Sequence, residues 1–191
     1  NYVASSTTPL VVSGRQYGFF CRRVAQRSGI PAQYIFEELG RNTGPAIYFA
    51  ARACEADDIL LIMPSDHWIE DNENFKTLVQ DGAKACEFGA WVTFGIYPTS
   101  PVTGYGYIEA QHSTVEPLEV RSFTEKPDIA SAEKYASSGR HFWNAGIFMI
   151  QAAACLPVVP AQRKGSAQRQ AGACCAAPAF RSPLRELASD V

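Results

Sequence analysis

The sequence predicts an α/β fold, in which a mainly parallel sheet lies between two layers of helices. Strand-like and helix-like segments alternate over about the first hundred residues, as they do in parallel α/β sheets. The run ILLIM (59–63) is apolar at every position, which is expected of a strand covered on both faces. The 191 residues are 47% hydrophobic, which suits one globular domain with a core.

The first elements are a strand at PLVVS (9–13) and an amphipathic helix. The helix is predicted from an apolar stripe at i, i+3, i+4 and i+7, formed by Tyr17, Phe20, Cys21 and Val24. YIFEE (34–38) is the second strand. A second helix follows it, with Asn42 or Thr43 as the cap and Pro45 in the first turn.

After the ILLIM strand, a third helix ends at Gly89 and has a clear apolar stripe: Phe75, Leu78, Val79, Ala83 and Cys86. WVTFGI (91–96) is the fourth strand. A Pro- and Gly-rich loop then enters a further strand, and VRSFTEKP and FWNAGIFMI enclose a helix over 128–138 capped by Asp128.

The composition changes after Gln151, and we expect two parts: a domain over 1–151 and an atypical tail over 152–191. The tail is rich in Ala, Pro, Gln and Arg with little period, so no regular structure is predicted for it.

Charge and composition exclude several classes of partner. With 17 basic and 19 acidic residues the net charge is -2, which does not favour binding to nucleic acid or to an anionic membrane. No apolar run reaches the roughly 18 residues of a membrane span. The six cysteines include no C-x-x-C pair, which indicates a reducing, cytoplasmic compartment.

Asp66 follows the ILLIM strand, where ligands bind in open α/β sheets. A carboxylate at this position could hold a hard cation such as magnesium (Mg2+), which usually takes one or two carboxylates together with substrate phosphates. The alternative is a structural aspartate that caps the next helix or stabilises a turn. His67 beside it is interpreted as a turn or packing residue.

Two loops offer further candidates. Arg41, Asn42 and Thr43 precede a helix N-terminus, whose free N–H groups favour anions, although the same residues make an ordinary cap. In TGYGYI the two glycines, Gly104 and Gly106, permit close approach of a ligand to the backbone on either side of Tyr105, but a tight turn explains them equally well.

The last candidates lie in FTEKP and FWNAGIF. Glu125 could accept hydrogen bonds from sugar hydroxyls and Lys126 could meet a phosphate, although surface Glu-Lys pairs are common. Asn144 and Gly146 interrupt an apolar run, and the Asn144 amide needs a partner, either backbone or ligand.

Taken in order, GRNTGPA, MPSDH, TFGIYPTSPVTGYGYI, FTEKPD and WNAGIF resemble segments of the mannose-1-phosphate guanylyltransferases, also called GDP-mannose pyrophosphorylases. The resemblance covers about residues 9–151 and is to the bacterial type often joined to a phosphomannose isomerase domain. It implies a three-layer, Rossmann-like nucleotide-sugar transferase fold that is incomplete at both ends. We expect a fragment without the family's glycine-rich triphosphate loop, and a tail of the kind that a frameshift would produce.

The resemblance also implies a reaction and a role for each candidate residue. Mannose 1-phosphate would attack the α-phosphorus of GTP, giving GDP-mannose and pyrophosphate. Asp66 would be the catalytic residue that holds Mg2+, and Arg41, Asn42 and Thr43 would lie at the guanosine end. The mannose and its phosphate would be surrounded by the remaining candidates: Gly104, Tyr105, Gly106, Glu125, Lys126, Asn144 and Gly146.

Two other functions stay open from the sequence. One is a related sugar nucleotidyltransferase that uses another base or sugar. The other is a non-catalytic nucleotide-sugar-binding subunit. A homo-oligomer is compatible with each of them.

Overall fold

The structure is a computed structural model that describes residues 8–40, 42–112 and 117–155, and the backbone of 172–177. Its contacts separate these residues into two units. The first unit contains residues up to 58 together with 152–155, and the second contains 59–151 together with 172–177. None of the described helices is long and apolar enough to cross a membrane.

The described part of the first unit is built from two parallel strands, three α-helices and a short 3-10 helix (Arg15–Tyr17). Its strands pair with Leu10 opposite Gln33. The helix α5 packs on α2 and is joined to the chain before it by a hydrogen bond of 2.8 Å from the Ala152 amide to the Asp58 carbonyl oxygen. The elements of this unit are β1 (Leu10–Gly14), α1 (Gly18–Ser28), β2 (Gln33–Glu37), α2 (Thr43–Arg52) and α5 (Ala152–Cys155).

The helix α1 is present as predicted, but its apolar stripe does not face the sheet. A Cβ at Gly18 would lie 3.1 Å from the Phe36 ring, so the glycine lets α1 approach β2 closely. One turn later, the Arg22 guanidinium lies 5.2 Å from the centre of the Tyr34 ring, in a cation–π contact. The opposite face leaves most of the predicted stripe exposed: Tyr17, Phe20 and Val24.

The second unit contains the remaining strands and helices. Those predicted between 59 and 151 are all found, and WVTFGI is a strand over the predicted range. The elements are β3 (Ile59–Ile62), α3 (Asn72–Glu87), β4 (Trp91–Ile96), β5 (Tyr107–Ala110), β6 (Leu118–Thr124), α4 (Ile129–Ser137), β7 (His141–Gln151) and β8 (Gly172–Ala177). The alternation of strands and helices confirms the α/β class.

The expectation of a mainly parallel sheet is wrong. The second unit has the strand order β3-β7-β4-β8-β6-β5, and β7 also pairs with β5. Of the seven strand pairs among the described residues, only β1–β2 and β4–β8 are parallel. Strands β3 and β4 do run in the same direction, as their connecting helix requires. However, the long strand β7 lies between them and is antiparallel to both.

The core of the second unit confirms the prediction for α3. The predicted stripe of this helix is buried at four positions: Phe75, Leu78, Val79 and Cys86. They pack in one cluster with Phe94 of β4 and Ile147 of β7. The chain leaves the helix through Gly89, which has φ +80°. Helix α3 is therefore packed against β4 and β7.

Residues 172–177, within the segment predicted to have no regular structure, form β8 between β4 and β6. The sequence of β8 is GACCAA. A run of such small residues shows no alternation by which a strand could be recognised.

Candidate functional site

Asp66 lies in the turn after β3, and its side chain is 80% exposed. The cap of α3 is a different residue, Asp71, whose Oδ1 accepts a hydrogen bond of 2.9 Å from the Asn74 amide. The capping alternative for Asp66 is therefore wrong. Among the described residues, the ionic neighbour of Asp66 is the His67 Nε2, at 4.0 Å from Oδ1. Its carboxylate is thus available to a ligand from solution.

The turn that contains Asp66 packs on β7 at Gly146. This glycine has φ +68°, a conformation that side-chain-bearing residues rarely adopt. A Cβ at this position would lie 3.5 Å from Pro64 Cγ and 3.7 Å from His67 Cε1. The Asp66 turn therefore lies against β7 at Gly146, which is two residues after Asn144. His67 also lies beside Gly146, but it is exposed.

The Asn144 side chain is held by two hydrogen bonds inside the unit. Its Oδ1 accepts from Thr93 Oγ1 at 3.1 Å and from the Gly146 amide at 3.1 Å. The polar residue in an apolar strand therefore has a side-chain partner and a backbone partner. Because Oδ1 is occupied in this way, Nδ2 is the atom through which the amide could reach a ligand.

Gly106 connects Asn144 to Glu125. The Gly106 carbonyl oxygen accepts a hydrogen bond of 2.8 Å from the backbone amide of Asn144. A Cβ at Gly106 would lie 2.8 Å from Glu125 Oε2 and 2.8 Å from Phe123 Cζ, so only glycine fits without displacing those groups. The pairing of β5 with β6 produces this approach, since it sets the residues around Gly106 beside those around Glu125. By contrast, nothing lies within 4 Å of a Cβ at Gly104.

Lys126 stands at the exposed rim of this group. Its Nζ lies 3.9 Å from Glu125 Oε1, and the two side chains are 67% and 59% exposed. An ion pair so open to solvent has little stabilising energy of its own. The Lys126 backbone has φ +45°, and among the described non-glycine residues only Asn42 shares a positive φ. Both residues are predicted from the sequence to bind a ligand. Strained backbone tends to occur at functional sites, which agrees with that prediction.

Sequence reasoning overlooked Trp143, which adjoins the group. Its side chain is buried, and its ring packs against that of Tyr105 with centroids 5.3 Å apart at 68°. Its Nε1 is the one buried side-chain polar atom among the described residues that has no hydrogen-bond partner. The signal available in the sequence was its position in FWNAGIF, immediately before Asn144.

The remaining candidates belong to the first unit. Asn42 is the N-cap residue of α2, with φ +57° and ψ -174°, but its side chain makes no capping hydrogen bond. Thr43 is the first helical residue, and both residues are exposed. The Asn42 side chain therefore does not cap the helix, contrary to the sequence prediction for that residue. Its side-chain amide is available to a ligand. Arg41 lies outside the described residues.

Within the described residues, no group of three or more His, Cys, Asp or Glu side chains could hold a metal ion. A cation at Asp66 would therefore need oxygen ligands from water or from a bound phosphate, which is the usual arrangement for Mg2+.

The sequence is similar to those of several known proteins. Residues 2–166 match a family model described as nucleotidyl transferase. The chain is 43% identical over 148 residues to the xanthan biosynthesis protein XanB of Xanthomonas campestris, covering 75% of this chain and 32% of that protein. It is 37% identical over 157 residues to a mannose-1-phosphate guanylyltransferase of Salmonella montevideo, covering 78% of this chain and 33% of that protein.

A solved structure is also similar. The crystal structure of mannose-6-phosphate isomerase from Helicobacter pylori has a TM-score of 0.70 and 29% identity, and the match covers 77% of this chain and 57% of that one. The chain thus spans about a third of the length of the curated relatives it matches.

Proposed function

Because the chain belongs to the nucleotidyl transferase family, we propose that it forms part of the active site of a mannose-1-phosphate guanylyltransferase. In the reaction, a phosphate oxygen of mannose 1-phosphate attacks the α-phosphorus of GTP. The bond between the α-phosphorus and the bridging oxygen breaks, and pyrophosphate leaves as GDP-mannose forms. Positioning and neutralisation of charge supply most of the catalysis in such a step.

The observation that supports this proposal is the joining of four separate segments in the second unit. The Asp66 turn packs over Gly146. The backbone amide of Asn144 donates a hydrogen bond to the Gly106 carbonyl oxygen, and the Glu125 carboxylate lies beside Gly106. The Asp66 carboxylate, which suits a cation, therefore belongs to the same unit as Glu125 and Asn144, which suit a sugar phosphate.

Asp66 is the residue that would hold the divalent metal that nucleotidyl transferases generally use. We propose Mg2+, because a single exposed carboxylate matches its preference for few protein ligands and for phosphate oxygens. Such a cation neutralises phosphate charge and orients the reacting groups. Removal of Asp66 should therefore weaken metal-dependent binding of the nucleotide without a large effect on folding.

The sugar phosphate is assigned to the groups beside Gly106. The Glu125 carboxylate accepts hydrogen bonds from mannose hydroxyls, and the Lys126 ammonium faces the phosphate as a point charge. Asn144 Nδ2 supplies a donor, and the Gly104–Gly106 turn lets the ligand approach the backbone around Tyr105.

The guanosine end is assigned to the N-terminus of α2 in the first unit. Asn42 offers an amide that takes no part in capping, and Thr43 stands at free backbone N–H groups. Arg41 is included with them on the resemblance alone. A change at Asn42 should affect guanine nucleotides more than free mannose 1-phosphate.

Calorimetric titration of the 191-residue chain with GDP-mannose, with and without Mg2+, tests the proposal. UDP-glucose and mannose 6-phosphate serve as competing ligands. We expect GDP-mannose to bind at least about tenfold more tightly than either, a difference of about 1.4 kcal/mol. Asp66→Asn should remove the dependence on Mg2+. Asp71→Asn is the matched control, because asparagine caps a helix as well as aspartate does.

Each alternative predicts a different result in that titration. Preference for UDP-glucose would replace the guanosine assignment by a related sugar nucleotidyltransferase. GDP-mannose binding that ignores Mg2+ would favour a non-catalytic nucleotide-sugar-binding subunit, alone or as a homo-oligomer. Tight binding of mannose 6-phosphate alone would exclude the transferase, and binding of none of these ligands would overturn the proposal.

A further inference from the structure

The indole of Trp143 is a buried donor with no acceptor. The side chain is 8% exposed, and Nε1 has no hydrogen-bond partner within the described part of the chain. Buried polar atoms in folded proteins are nearly always paired, so an unpaired one requires an explanation. An acceptor supplied by a ligand is one such explanation, and the position of Trp143 favours it.

Trp143 is built into the strands that form the candidate sugar site. On β7 it precedes Asn144, and its backbone lies opposite Ile96 of β4 and Tyr107 of β5. Gly106, whose carbonyl bonds to the Asn144 amide, precedes Tyr107. Trp143 therefore adjoins Asn144 in the chain, and its backbone lies opposite the residue that follows Gly106.

Tyr105 is the aromatic side chain that packs on the Trp143 ring. Its half-buried ring contacts the Trp143 ring edge to face, and its hydroxyl has no hydrogen-bond partner among the described residues. The neighbouring Tyr107 differs, because its ring is fully buried and its hydroxyl donates to the Val102 carbonyl oxygen at 3.0 Å. The turn before Tyr105 is also unobstructed, since nothing lies within 4 Å of a Cβ at Gly104. The Tyr107 side chain is thus both buried and hydrogen-bonded, whereas the contacts of the Tyr105 ring within the described part of the chain are packing contacts.

We propose that the Trp143 Nε1–H donates a hydrogen bond to a mannose hydroxyl of the bound ligand, reached when the Tyr105 ring turns aside. The proposal rests on the assignment of the sugar phosphate to this unit and adds a specificity-determining residue to it. A hydroxyl oxygen is a suitable acceptor, and the indole N–H can only donate. Ligands that lack mannose, such as GMP, would leave the indole N–H unpaired.

Nitrogen-15 NMR of the unmodified chain tests the proposal directly, because the three tryptophans give three indole N–H signals. Trp68→Phe and Trp91→Phe, both at exposed positions, assign two signals and leave the third to Trp143. Addition of GDP-mannose should move the Trp143 signal and slow its exchange with water, whereas GMP should leave it in place.

Trp143→Phe then measures the effect of the lost N–H while keeping a large ring. We expect the affinity for GDP-mannose to fall about tenfold and that for GMP to stay within about twofold. Trp91→Phe is the matched control and should change neither. If Trp143→Phe does not fold, the NMR titration of the unmodified chain still decides the question.

The outcomes separate the two proposals. GDP-mannose binding that leaves the Trp143 signal unmoved would overturn the inference and leave the proposed function intact. Movement of the signal by GMP as strongly as by GDP-mannose would also overturn it. If the unmodified chain binds no GDP-mannose, the proposed function fails and the inference fails with it.

Discussion

The backbone amide of Asn144 donates a hydrogen bond of 2.8 Å to the carbonyl oxygen of Gly106. Through this bond the Asn144 side chain, held by Thr93 and Gly146, is set beside the glycine against which Glu125 packs. Segments far apart in the sequence are thus brought into one group by strand pairing. The position of each polar side chain depends on β5, β6 and β7 having the correct register.

Replacement of Gly106 by alanine should displace the Glu125 carboxylate. The added methyl would stand 2.8 Å from Glu125 Oε2 and from Phe123 Cζ, closer than carbon atoms tolerate. We expect GDP-mannose affinity to fall by about tenfold. Stability should change by less than about 1 kcal/mol, since exposed side-chain ends can move aside. Calorimetry and urea denaturation measure the two effects.

Gly104→Ala is the matched variant for this prediction. Its methyl meets nothing within 4 Å, so Glu125 should stay in place and the affinity should fall by less than in Gly106→Ala. Equal losses in the two variants would show that the contact between Gly106 and Glu125 does not govern binding.

Loss of the Thr93 hydroxyl should loosen Asn144. Thr93→Val keeps the shape of the side chain but removes the donor at 3.1 Å from Asn144 Oδ1. We expect the free energy of unfolding to fall by about 1 kcal/mol and GDP-mannose affinity to fall as well. Thr93→Ser retains the hydroxyl and should keep more of the affinity than Thr93→Val. If Thr93→Val binds as tightly as the unmodified chain, Asn144 does not need this support.

Local signals were sufficient to predict most of the elements. In α3 the spacing of Phe75, Val79 and Cys86 and the stop at Gly89 agree, so the helix was found with its buried face. The apolar stripe of α1 did not predict its buried face, because local spacing does not show which face of a helix meets the sheet. There Gly18 and Arg22 pack on β2. Strand neighbours were missed for a similar reason, since nothing within ILLIM indicates that β7 will lie beside it.

The residues of the candidate site likewise include some that local sequence predicts and others that depend on strand pairing. Asp66 could be selected from its place after an apolar strand, and the glycines from their spacing. The partners of Asn144 could not, because Thr93 is on a different strand and becomes adjacent only through the register of β4 and β7. Trp143 was missed because a tryptophan in an apolar run is normally a core residue, and its unpaired N–H is visible only in the folded chain.

Replacement of Asp71 by alanine should lower stability, whereas replacement of Asp66 by alanine should lower ligand affinity. Asp71 caps α3 through the Asn74 amide, so Asp71→Ala should lower the free energy of unfolding by about 1 kcal/mol and leave ligand affinity nearly unchanged. Asp66 is 80% exposed and caps no helix, so Asp66→Ala should change stability by less than about 0.5 kcal/mol. Its Mg2+-dependent nucleotide binding should nevertheless be lost. Urea denaturation beside calorimetry gives both numbers, and a marked loss of stability in Asp66→Ala would return this residue to a structural role.

His141 should make stability depend on pH. Burial lowers the pKa of this imidazole, the positive charge of Arg140 lowers it further, and the Glu109 carboxylate opposes them. The ring stacks on Tyr135 with centroids 4.2 Å apart, and its Nδ1 lies 2.7 Å from Ser138 Oγ. Protonation must therefore disturb a packed and hydrogen-bonded ring.

The direction follows from proton binding. The unfolded chain, in which a histidine has a pKa of about 6.5, binds the proton more tightly than the folded chain does. The contribution of neutral His141 to stability is therefore complete above about pH 6.5 and is lost as the pH falls through the lowered pKa of the folded state. His141→Asn keeps a polar group near Ser138 but cannot titrate, so its unfolding free energy should fall less between pH 7 and pH 5. His112→Asn, at an exposed position, is the control. Urea denaturation across this range decides the point, and parallel curves for His141→Asn and the unmodified chain would show that His141 does not set the dependence.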